Sequence, residues 1–113
     1  MAEVKKIDGA EVPEQKNENH VVLSRGVLYN DETYTELDFD FESLTGRDSM
    51  AIEAELRAQG ITVLVESMSG DYLARLAVRA CKQPIGVDVF NKMPLKDYNR
   101  IKRLARNFLL ASE

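Results

Sequence analysis

The sequence holds one cysteine, one histidine, three prolines and no tryptophan. A lone cysteine, Cys81, cannot close an internal disulfide. With a lone histidine, His20, neither a histidine-rich metal centre nor a Cys–His nucleophile pair is expected. No GxGxxG, P-loop, HExxH or GxSxG pattern occurs, and Gly46 and Gly60 read as helix-boundary glycines, not as a phosphate cradle. An enzyme is not expected, nor a cofactor, nor a catalytic or metal-ligating residue. No apolar run approaches the roughly 18 residues that span a bilayer. The first residues, MAEVKKIDGAEV, offer no apolar core for a secretory signal. These absences predict a protein without a membrane partner, in a reducing cytoplasmic setting.

What is present suits one small domain. The chain has 113 residues, 44% of them hydrophobic and 30% charged. The net charge of −4 conceals an asymmetry: residues 1–19 carry −2, residues 20–66 carry −7 and residues 67–113 carry +5. Two readings are open. The acidic and basic halves neutralise each other within the fold, or they present two surfaces to different partners.

Residues 1–19 place charged side chains among Gly9, Pro13 and two asparagines, with no usable apolar stripe. Such a segment buries too little to offset its ordering entropy, and we expect a flexible tail. A folded domain is expected over 20–113. Its first part, 20–41, reads as an antiparallel hairpin. HVVLSRGVL is β-branched and apolar, and TYTELDFDF alternates, with Leu37, Phe39 and Phe41 on one face. Asn30 and Asp31 tolerate the left-handed backbone of a tight turn. A two-residue loop there would set Arg25 opposite Glu36.

Thr45 and Asp48 have capping-box spacing, opening a helix near 46–59 that Gly60 stops. Its apolar stripe is thin, Ile52 and Leu56. The short run ITVLV, 61–65, is either a third strand or an extended connection packed on the core. Ser69 caps a second helix near 69–83, ended by Pro84. Its buried stripe is Tyr72, Leu73, Leu76, Ala77, Ala80 and Cys81, with Arg75, Arg79 and Lys82 on the other side. Pro94 opens a third helix near 94–111. Leu95, Tyr98, Ile101, Ala105, Phe108 and Leu109 form its apolar face. The expected fold is therefore α+β, one hairpin packed on three helices. Leu37, Phe39 and Phe41 should meet Leu73, Leu76, Ile101 or Phe108.

Four features bear on chemistry. Glu36, Asp38, Asp40 and Glu42 would line one strand face. A cation needs converging ligands, so a solvated edge face is the better reading. Lys96, Arg100, Arg103 and Arg106 share one arc of the last helix, with Lys102 at its flank. On phosphates such a stripe would bind in a salt-sensitive way. The chain is acidic and no aromatic interleaves to stack bases, which favours a solvated helix face or one that meets an acidic protein surface, and of these we expect the acidic protein partner. His20 reads as an exposed residue at a strand start, and Cys81 as a buried, inert small hydrophobe.

One stretch is familiar. Gly26-Val27-Leu28-Tyr29, followed by Tyr34-Thr35-Glu36-Leu37-Asp38-Phe39-Asp40-Phe41-Glu42-Ser43-Leu44-Thr45-Gly46-Arg47-Asp48, resembles the tail assembly chaperones of tailed bacteriophages and prophages. In that family a hairpin carrying "YTEL" leads into "E-x-L-T-G-x-D" and a Glu-rich helix. Leu76-Ala77-Val78-Arg79-Ala80 is similar to its later small-residue helix. Pro94, Asp97-Tyr98-Asn99 and Asn107-Phe108-Leu109 are similar to its closing pattern, with Tyr98 where Phe is the norm. The likeness covers about residues 20–110. It implies a non-enzymatic role in long-tail morphogenesis. Such a protein binds the tape measure protein, helps recruit major tail tube subunits, works in the host bacterial cytoplasm and is missing from the finished virion. Self-association stays open. The alternative, from the residues alone, is a small regulatory or nucleic-acid-binding protein using the basic last helix.

Overall fold

The computed structural model describes residues 19–112. The predicted tail therefore lies outside the described residues, apart from Asn19. The architecture is α+β: an N-terminal antiparallel hairpin, β1 (His20–Tyr29) and β2 (Glu32–Asp38), then helices α1 (Gly46–Ala58), α2 (Gly70–Ala80) and α3 (Leu95–Ala111). Short 3-10 turns at Phe41–Ser43, Glu66–Met68 and Val87–Asn91 link them.

Asn30 (φ 52°) and Asp31 (φ 67°) both adopt the left-handed backbone of a two-residue hairpin turn. Pairing continues through Leu28–Thr33 and Val27–Tyr34 and then breaks. Leu23, Ser24, Arg25 and Gly26 stand against Thr35 alone, and the ladder resumes at Val22–Glu36. The expected Arg25–Glu36 pair is thus overturned by a wide β-bulge. Gly26 suits it, since a Cβ there would come within 2.9 Å of the Thr33 methyl.

β2 ends at Asp38, earlier than its alternation suggested. The Phe39 N–H still donates to Asn19, but the neighbouring backbone changes partner. Asp40 N–H donates to the Ala80 carbonyl and Lys82 N–H to the Asp38 carbonyl, both at 2.8 Å. Phe39 and Cys81 form an isolated antiparallel bridge. The same contact ends α2 at Ala80, short of the expected 83. Cys81 therefore leaves the helical stripe and takes an extended backbone, φ −71° and ψ 133°.

The helix signals work locally. The Thr45–Asp48 capping box forms, with Thr45 N–H donating to the Asp48 carboxylate at 2.8 Å. At the other end of α1, Gly60 (φ 74°) follows the cap. Gly60 N–H bonds the Arg57 carbonyl and Ile61 N–H bonds the Leu56 carbonyl, a Schellman closure. Ser69 Oγ accepts the Tyr72 N–H at 3.1 Å, capping α2. ITVLV forms no strand: the hairpin has two strands only, and the run bends at Leu64.

Leu37, Phe39 and Phe41 are buried in one core with Ile52, Leu56, Leu73, Leu76 and Ile101. Phe41 stacks on Phe39 (centroids 5.9 Å) and on Phe108 of α3 (5.4 Å). Burying each of these side chains is worth about 1.5–3 kcal/mol, which joins the hairpin to the helices. Two face assignments need correction. Arg75 is buried between α1 and α2, because Glu55 and Gln59 supply partners there. Leu95 is 70% exposed, because the first turn of α3 docks through Asp97 instead. No helix among the described residues is long and apolar enough to cross a membrane.

Candidate interaction surfaces

The exposed arc of α3 carries Lys96, Arg100, Arg103 and Arg106. Its members differ in what they touch. Lys96, Arg103 and Arg106 make no ion pair with a described residue. Arg100 turns inward, donating to the Val22 carbonyl and to Asp97 Oδ1 at 3.2 Å. Lys102, at the flank, lies over the Tyr98 ring at 5.0 Å, a cation–π contact.

Asp97 is fully buried. It sits at the third position of α3, where a capping box would return its carboxylate to the cap residue's N–H. The cap residue is Pro94, which has no N–H. The carboxylate instead accepts the Ser24 N–H and the Ser24 hydroxyl, each at 2.9 Å, and the Arg100 guanidinium. The bulge in β1 brings Ser24 to this acceptor. Sequence spacing showed Asp97 only as a residue of a familiar motif, since its donor lies 73 positions away.

The carboxylate row is broken up. Glu36 and Asp38 hold His20 between them, Glu36 on Nε2 at 2.9 Å and Asp38 on Nδ1 at 2.5 Å. His20 is thus a clamped, largely covered residue, where exposure was expected. Its hydrogen bond is the main cause holding the Asp38 carboxyl below the ordinary carboxylate range, with Gln83 assisting. Glu42 falls in the 3-10 turn after the strand, away from the alternation. Among the described residues no group of three or more His, Cys, Asp or Glu is placed to hold a metal ion. Burial pushes the Cys81 thiol up to about 11, which disfavours the reactive thiolate.

Sequence reasoning missed the strip after α1. Leu64 is 91% exposed, Met68 80% and Val65 51%. Thr62, Val63 and Leu64 make no backbone hydrogen bond with a described residue. Beside them a half-open groove of about 580 Å³ runs between the end of α1 and the strip, lined by Glu53, Leu56, Arg57, Ile61, Leu64 and Glu66. Glu53 and Glu66 both line this groove, and the proximity of Glu53, together with partial burial, raises the Glu66 carboxyl above its usual range. A second concavity sets Val65, Glu66 and Ser67 against Leu109 and Ser112 at the end of α3. The available signal was a β-branched run with no strand of complementary pattern left to pair with it.

Comparison with protein-family models, curated proteins and solved structures finds no match to this chain.

Proposed function

We propose that this protein is a phage tail assembly chaperone. It binds the tape measure protein, keeps it soluble and helps recruit major tail tube subunits during long-tail morphogenesis, in the host cytoplasm and without catalysis. The observation that carries the reading is the strip at Leu64, Val65 and Met68. Three large apolar side chains stand in solvent within five positions, beside an open groove. Grouped exposure of this kind marks an interaction surface, whereas scattered apolar residues do not. The family resemblance over about residues 20–110 supplies the identity of the client.

The basic arc adds a second contact. Lys96, Arg103 and Arg106 meet acidic side chains of a protein partner, while Arg100 serves the fold and contributes charge at the edge. Each exposed pair is worth about 0.2–1 kcal/mol, so the arc works as a set and releases readily. That suits a client that must later be handed to tube subunits.

The test is co-expression with a tape measure protein of a long-tailed phage. The wild-type chain should render that protein soluble and co-purify with it. Changing Lys96, Arg103 and Arg106 to Glu should weaken capture and leave the thermal melt in place. Undiminished capture would remove the arc from the interface. Failure of the wild-type chain to capture the client would reject the chaperone reading, and binding of nonspecific DNA lost in the triple variant would install the nucleic-acid alternative.

A further inference from the structure

We propose that the groove beside Leu64 is a docking site for an amphipathic helix that carries lysine or arginine along the edge of its apolar stripe. The apolar half of the argument is Leu64 with Leu56 and Ile61 in the groove, and exposed Met68 in the adjoining concavity that shares Leu64. The bend at Leu64 and the following 3-10 turn interrupt any straight edge, so an added strand has no ladder to extend. A helix laid across side chains needs no such ladder.

The charged half of the argument is Glu53 and Glu66. Both line the groove wall, and Arg57, lining the same groove, makes no ion pair with a described residue, so neither acid is neutralised there. A cation on the occupant would be shared by both acids and relieve their mutual repulsion. A second copy of this chain is a poor occupant. Its own strip would bring a further Glu53–Glu66 pair to the first, and the apolar side of its basic helix α3 is spent on Ile101 and Ala105 inside the core. The groove's chemistry stands on these residues alone; only the naming of its occupant as the tape measure protein rests on the chaperone reading.

The full-length protein should be titrated into a labelled helical peptide of about 18 residues with a leucine stripe flanked by lysines. Two controls carry glutamates in place of the lysines, or the same composition with the leucines scrambled. The leucine–lysine peptide should bind at least about tenfold tighter than either control. Leu64→Ser with Met68→Ser should weaken it by about tenfold, with an unchanged circular dichroism spectrum because both side chains are solvent-exposed. Glu53→Gln with Glu66→Gln should abolish the preference for lysine over glutamate. Equal binding of the lysine and glutamate peptides, or indifference to the Leu64/Met68 variant, would overturn the proposal. The same variants tested for tape measure capture separate the two readings. A Leu64/Met68 variant that loses the peptide yet captures the client upholds the groove and places the client elsewhere. A wild-type chain that binds the peptide and ignores the client upholds the groove and rejects the chaperone.

Discussion

Asp97 is the residue on which the hairpin and the last helix depend together. Its carboxylate takes three donors, and no water reaches it. Asp97→Ala leaves the Ser24 N–H and hydroxyl without their acceptor and should cost about 2–3 kcal/mol in a urea melt. Asp97→Asn keeps one oxygen acceptor and should cost less. The same geometry separates Arg100 from its neighbours: Arg100→Glu should destabilise the fold, while reversal of Lys96, Arg103 or Arg106 should not. Asp48 makes a pH-dependent contribution of known sign. The Thr45 N–H, and then Arg79, hold its carboxyl below the ordinary range. The stability it adds is complete above about pH 4, the ordinary value, and drains away as pH falls through the lowered folded-state value. Thermal melts between neutral and acid pH should show a shallower acid-side loss for Asp48→Asn, which starts from a lower neutral plateau.

At the scale of the elements, two backbone positions with positive φ call for opposite substitutions. Gly60→Ala forces a side chain into the left-handed closure of α1 and should destabilise by about 1 kcal/mol. Asp31→Gly relaxes the same strain in the hairpin turn and should stabilise by a few tenths of a kcal/mol, about 0.5 at most. Denaturant midpoints of the two variants should move in opposite directions. These elements were legible because their causes are local: Asn30-Asp31, Thr45 with Asp48, Gly60 and Ser69 each act within a few residues of where they stand. What escaped the sequence has distant causes. The bulge answers to Asp97, the early end of α2 answers to Phe39, and Arg75 is buried because α1 presents Glu55. The interaction strip was illegible for a related reason. ITVLV has the composition of a strand, yet it does not join the hairpin, and its bend at Leu64 leaves Leu64 and Val65 in water.

Across the whole molecule, the acidic and basic halves neutralise each other in part. Arg75 with Glu55 (3.0 Å) and Arg79 with Asp48 (2.9 Å) cancel charge between α1 and α2. The surplus remains on α3 and, with opposite sign, in the groove at Glu53 and Glu66. Besides its buried face, the hairpin is fastened to the helices by hydrogen bonds that include those of Asp97 at the bulge and the backbone exchange between 38–40 and 80–82. The second fastening sets the order in which the protein comes apart. Asp40 N–H and Lys82 N–H bridge segments that neither the hairpin nor α2 can hold when separated, so no local fraying exposes them. In hydrogen–deuterium exchange these two amides should be among the last to trade their protons, opening only with global unfolding, while those of Thr62 to Leu64 trade at once. Fast exchange at Asp40 and Lys82 would show that the hairpin detaches as a unit before the helices melt.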